Sequence, residues 1–292
     1  MDIKEQAVVF ECNGDRLIGV VHGAGSSKIG VLVVVGGPQY RIGSHRQFLL
    51  LARHLATNDV PVMRFDYRGM GDSEGDMRTF EDVGDDIQAA IDMFFQSSPG
   101  LSSVVLWGLC DAASAALFYA HSDPRVKGLV LLNPWVTTEA GEAKAYLRHY
   151  YFRRLFDKTL WKKALSGKFE LRKSVASLLD ILIKSRTPNA EPCSVEPSSV
   201  ESRGNTDSNL SLPDRMYKGF SQFKGWVNVI ISGEDLTAAE FNDLIKASSD
   251  WKNILESKEV QFHYLRDANH TFSSQAWRDE VAERTLRWVT SD

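Results

Sequence analysis

Apolar and polar positions follow two alternating periods along the chain. Residues 7–11 and 17–22 are two short, largely apolar runs on either side of Cys12-Asn13-Gly14-Asp15, which predicts a β-hairpin closed by a Gly/Asp turn. Residues 31–35 form an unbroken aliphatic run bounded by glycines, the mark of a strand buried on both faces. From Ser44 the period becomes helical, with Phe48, Leu49, Leu51, Ala52 and Leu55 on one stripe. Residues 60–65, 103–107 and 127–132 predict further strands, and residues 80–95 and 112–121 the helices between them. Strands separated by helices need crossover connections. The pattern therefore predicts an α/β protein with a mostly parallel central sheet flanked by helices.

The alternation stops after Asn133-Pro134-Trp135. Residues 139–184 predict two or three helices rich in Leu, Tyr, Phe and Arg. Residues 185–213, rich in Ser, Pro, Glu and Asn and poor in large apolar side chains, are expected to be mobile. Strand and helix patterns resume at 226–232, 241–254, 260–265 and 274–288. The organisation expected is a core made of 1–135 and 223–292, interrupted by a helical insertion over 136–222. An insertion placed there would cap a site at the carboxyl edge of the sheet.

Candidate chemistry centres on Gly108-Leu109-Cys110-Asp111-Ala112, between a predicted strand and a predicted helix. This matches the strand–turn–helix elbow G-x-nucleophile-x-G, with Cys as nucleophile and Ala in the last place. Small residues are needed at 108 and 112 because helix and strand approach closely and the central residue is strained. Gly36-Gly37-Pro38-Gln39 follows the strand at 31–35, where an acyl-transfer enzyme of this architecture builds half of its oxyanion hole. The Asp111 N–H is one expected donor. Pro38 has no N–H, so Gln39 is the expected second, with Gly37 in reserve. Asp235, after the strand at 226–232, and His270, after the strand at 260–265, complete the order nucleophile, acid, histidine. His270 would move the proton and Asp235 would orient the imidazole. Asp235 stands two residues after Gly233 where three is usual, which keeps Glu234 and Glu240 as alternative acids. Tyr40, His45 and Trp135 are candidate substrate-lining residues. His22, His54, His121, His149 and His263 fall in strands, helices or the insertion and are expected to be structural.

Asp66-Tyr67-Arg68-Gly69-Met70-Gly71-Asp72-Ser73 resembles the D-x-R-G-x-G-x-S loop of the α/β-hydrolase superfamily, where it is structural. With the elbow, Asp235 and His270, this likeness extends over nearly the whole chain and implies an α/β-hydrolase fold with a helical cap insertion. Residues 36–48, 107–112, 132–136 and 232–238 are similar to the exosortase A system-associated hydrolases, bacterial proteins found beside exopolysaccharide and exosortase genes. The Cys nucleophile is also similar to that of the dienelactone hydrolases, which use a Cys-His-Asp triad. These resemblances imply hydrolysis of a small-molecule ester or thioester through an acyl-Cys intermediate. The competing readings are an acyltransferase with the same triad and a non-catalytic binding or scaffold protein of the same fold.

The rest narrows the field. The 292 residues carry 34 Lys and Arg against 38 Asp and Glu, a net charge of −4, which gives no reason to expect nucleic-acid binding. The cluster Arg148, Arg153, Arg154, Lys158, Lys162 and Lys163 is expected to be the solvated face of an amphipathic helix. No apolar run approaches the roughly 18 residues of a membrane span. Met1-Asp2-Ile3-Lys4-Glu5 is not expected to begin a signal peptide. Three cysteines, Cys12, Cys110 and Cys193, make no paired framework, and a reducing cytoplasm is the expected location. HExxH, CxxC and P-loop patterns are absent, and Gly23-Ala24-Gly25 lacks the spacing for a dinucleotide, so no metal or cofactor is expected. Oligomeric state is not specified.

Overall fold

A computed structural model describes residues 4–23, 27–37, 39–136, 210–257 and 260–291. Eight strands form one sheet: β1 (Glu5–Cys12), β2 (Asp15–His22), β3 (Ile29–Val34), β4 (Val62–Asp66), β5 (Ser103–Leu109), β6 (Val126–Leu132), β7 (Trp226–Glu234) and β8 (Val260–Asn269). Their order is β1-β2-β4-β3-β5-β6-β7-β8. The hairpin β1–β2 and the β2–β4 pair are antiparallel, and every other pairing is parallel. This is the α/β-hydrolase fold.

Helices cover both faces. Strand residues of period two feed two cores: Leu32, Val34, Leu106 and Leu131 on one face, Val31, Val33, Trp107 and Leu132 on the other. The second face is covered by α1 (Gln47–Thr57), through Phe48, Leu51 and Leu55, and by the C-terminal helix Gln275–Thr290, through Val281, Ala282 and Val289. The first carries α2 (Gly84–Ser97), α3 (Asp111–Ala120), α4 (Leu212–Gln222), α5 (Leu236–Ala247) and α6 (Ser249–Ser257); the C-terminal helix is α7. Among the described residues no helix is long and apolar enough to cross a membrane.

Two departures from the expected elements have local causes. The helix expected over 241–254 is two helices, broken where Ser248 is extended (φ −108°, ψ 122°). Trp251 of α6 then fits among the rings of Tyr217, Phe220 and Phe241, at 5.7, 5.7 and 5.9 Å between centroids. The end of the expected insertion is also different. Residues 211–292 form one compact unit with 1–137, separate from 138–210. Helix α4 is capped by Ser211, which accepts the Asp214 N–H, and it buries Met216 and Phe220, one turn apart, in the core. Gly219 permits this packing, since a Cβ there would lie 2.3 Å from the Leu117 carbonyl oxygen. The expected helices at 139–184, nearly all of the segment expected to be mobile, the basic cluster, His149 and Cys193 lie outside the described residues.

The Asp66–Ser73 loop has the structural part expected of it. Buried Asp66 accepts the Arg41 N–H at 2.6 Å, the Asp72 N–H at 3.1 Å and the Arg41 guanidinium. Arg68 is buried and paired bidentately with Asp86 of α2, at 3.0 and 2.8 Å.

Candidate active site

Cys110 stands between β5 and α3 at φ 64° and ψ −124°, a backbone state that costs a non-glycine residue about 1–3 kcal/mol. Surrounding hydrogen bonds hold it there. The Cys110 N–H donates to the Leu132 carbonyl at 2.8 Å, and the Cys110 carbonyl accepts from Ala113 at 3.0 Å and Trp135 at 3.2 Å. Gly108 makes the turn possible, because a Cβ there would lie 2.6 Å from the backbone C and O of Ala112. Ala112 is fully buried, as the close approach of helix and strand requires.

The loops after β7 and β8 bring Asp235 and His270 to the same edge. A register irregularity at Ser232/Glu234, with Gly233 against the Arg266 carbonyl, carries β7 through Glu234 and leaves Asp235 at the start of α5. There the Asp235 carboxylate accepts from the Thr237 and Ala238 N–H groups at 3.3 and 3.1 Å, and its Oδ2 lies 2.9 Å from His270 Nδ1. His270 is pushed up from 6.5 to about 10, first by its hydrogen bond to Asp235, then by one to the Cys110 side chain, both working against burial. Cys110, His270 and Asp235 are thus in sequence-remote contact.

Sequence reasoning missed the residue that ties these loops together. Asn133, fully buried and at φ 43°, donates to Ser232 Oγ at 2.8 Å and to the His270 carbonyl at 3.1 Å, and accepts the Ser232 N–H at 2.9 Å. The available signal was an Asn directly after a buried strand and directly before a proline. Ser114 Oγ donates to the Trp135 carbonyl at 2.6 Å, which fixes half-buried Trp135 beside the elbow.

The expected oxyanion region holds a surprise. Gly37 (φ 57°) donates its N–H to Asp111 Oδ2 at 2.8 Å, so this reserve donor is already engaged. Asp111 Oδ1 accepts the Ala112 N–H at 2.9 Å. Burial raises the Asp111 carboxyl above its ordinary range against the N–H bonds that favour the charge. Gln39 accepts the Ser44 N–H through Oε1 at 3.1 Å. Tyr40 is exposed beneath the Arg41 guanidinium, 5.9 Å from the ring centroid. His45 (φ 52°) offers its carbonyl to Arg278 of α7 at 3.4 Å. Among the described residues no three His, Cys, Asp or Glu side chains converge as metal ligands.

A family model described as serine aminopeptidase, S33, matches residues 27–182. No curated protein matches the chain. Solved structures share its fold at low identity. An esterase of Pyrococcus furiosus, Pf2001, is 14% identical with a TM-score of 0.64, covering 99% of this chain and 90% of its own. A dienelactone hydrolase of Anabaena variabilis is 14% identical at 0.59, covering 99% and 97%. Est1E of Butyrivibrio proteoclasticus, solved with ferulic acid bound, is 12% identical at 0.60, covering 98% and 100%.

Proposed function

We propose, for a chain that belongs to the serine aminopeptidase S33 family of α/β-hydrolases, that Cys110 stands in for the family's serine and that the reaction is hydrolysis of an ester or thioester through an acyl-Cys110 intermediate. The observation that carries this is the chain of contacts from Asp235 through His270 to the Cys110 side chain at a strained elbow. In the first half-reaction His270 holds the proton and the Cys110 sulfur forms a bond to the acyl carbon. The C–O or C–S bond to the leaving group breaks, and His270 passes it that proton. In the second, His270 takes a proton from water, the hydroxyl oxygen bonds to the acyl carbon, and the C–S bond breaks to release the acid and restore Cys110. Asp235 holds the imidazole in the tautomer this needs and stabilises the imidazolium. Asn133, through the His270 carbonyl, holds the loop that carries the base.

The likeness to the exosortase A system-associated hydrolases belongs to the same proposal and links the enzyme, in the cytoplasm, to an exopolysaccharide or exosortase system. The test is intact-mass spectrometry after incubation with activated short-chain and aromatic esters and thioesters. An acyl adduct that disappears in Cys110→Ala and in His270→Ala is the expected result. Labelling that persists in Cys110→Ala overturns the nucleophile. Turnover that depends on an added alcohol or amine would mark acyl transfer, and no adduct or turnover with any donor would favour a binding protein.

A further inference from the structure

The Asp111 side chain has no part in the reaction described above, yet it takes the N–H of Gly37, the reserve donor of the expected oxyanion hole. An oxyanion at the elbow calls for the N–H of the residue after the nucleophile, Asp111, and a second N–H from the loop after β3. Within that loop Gly37 already donates to Asp111 Oδ2 at 2.8 Å, and the Ala112 N–H donates to Oδ1 at 2.9 Å. A single carboxyl group therefore draws together the Ala112 N–H at the start of α3 and the Gly37 N–H across the loop. Gly36 makes room for it, since a Cβ there would lie 2.1 Å from Asp111 Oδ1.

We infer that the Asp111 carboxylate is a built-in occupant of the oxyanion pocket, and that an acyl donor reacts only after its carbonyl oxygen displaces that carboxylate from the Gly37 N–H. The inference rests on the proposed role of Cys110. A neutral carbonyl oxygen is a weaker acceptor than a carboxylate, so displacement weakens donor binding. The donor oxygen acquires a comparable charge only as the tetrahedral intermediate forms, when the freed N–H stabilises it. Asp111 is in this sense a gating residue that sets how readily the site turns over any donor.

Asp111→Ala and the near-isosteric Asp111→Asn test this. Removing one oxyanion donor typically costs 10²–10³ in rate, and freeing one already taken is expected to raise kcat/KM for a small thioester by about tenfold or more in Asp111→Ala, chiefly through KM. Asp111→Asn keeps the shape without the charge and is expected to give a smaller rise. The emptied pocket of Asp111→Ala should also accept a free carboxylate. ¹³C-formate is expected to bind the variant saturably, seen by NMR line broadening, and to inhibit it competitively, while the wild type shows neither effect. A carboxylate that only clamps the Gly37 loop would give the opposite: lower kcat/KM in both variants and no formate binding. That result overturns the inference. If Asp111→Ala does not fold, the sign of the change in Asp111→Asn decides. Formate binding needs no turnover, and adduct formation on Cys110 is followed in parallel. Formate binding without acylation would sink the Cys110 reading and leave the occupant in place; acylation without formate binding and with slower turnover would do the reverse.

Discussion

Asp235→Asn removes a negative charge from beside His270 while keeping the side chain's shape. In the structure His270 stands at about 10, and the hydrogen bond to Asp235, 2.9 Å long, is the largest cause. The imidazole is 35% exposed, so solvent screens part of this interaction. The Asp235 share is then that of one charge-assisted hydrogen bond, about 1.5–3 kcal/mol. At about 1.4 kcal/mol per tenfold change in proton affinity, His270 should fall to about 8–9 in the variant. Activity should follow, because the leaving group takes its proton from the imidazolium. Wild-type kcat/KM for an activated ester is expected to hold until pH approaches 10 and then fall. The variant's alkaline limb should begin one to two pH units lower, with kcat reduced on the order of 10²–10⁴ as the tautomer is no longer held. A ¹³C titration of the His270 ring, read with the rate profile in both proteins, measures each shift. An alkaline limb unmoved in Asp235→Asn, with the ring titrating as in wild type, would refute the assigned coupling. Stability has the same sign: His270, raised above its unfolded 6.5, contributes most below that pH, and the contribution is lost as pH rises through about 10.

Three other outcomes follow from the framework around the site. His22 is wholly buried, accepts from Arg64 at 3.0 Å, and is pushed down to about 4 by burial and then by the Arg64 charge. The unfolded chain takes up this proton near 6.5, so stability should fall by about 2–3 kcal/mol between pH 6.5 and 4; His22→Gln, which keeps an acceptor for Arg64, should remove that portion in urea melts across the range. Asp86→Ala strands the buried Arg68 guanidinium and should cost about 3–5 kcal/mol by denaturant unfolding. Asn133→Ala breaks three buried hydrogen bonds at a positive φ, and should cost about 2–4 kcal/mol and lower kcat more than it changes KM. A kcat left at the wild-type value would remove Asn133 from the machinery that holds His270.

The strands were legible because each of them reports its surroundings in its own side chains. Residues 31–35 and 104–107 are solidly apolar since both faces of a parallel strand are covered, and Gly108 announces the elbow since no Cβ fits against Ala112. The break at Ser248 was not legible: a Ser in a helical pattern is common, and only the rings around Trp251 give the second helix its own direction. Helix α4 falls inside the expected insertion because the strand–helix alternation resumes only at residue 226, whereas its burial depends on where α3 lies.

The site divides in the same way. Cys110, Asp235 and His270 could be named from their turns and their order, because a strand end is a local feature and the fold orders strand ends in the chain. What joins them could not be read from neighbours. His270 meets Asp235 across 35 residues, Asp111 meets Gly37 across 74, and Asn133 reaches the His270 carbonyl across 137. Such contacts are chosen by strand order and register, which emerge when separated segments bury their apolar faces against one another. Chain-local chemistry thus determined which residues stand at the edge of the sheet, and tertiary packing alone decided that the Asp111 carboxylate would take the N–H of Gly37, the reserve donor.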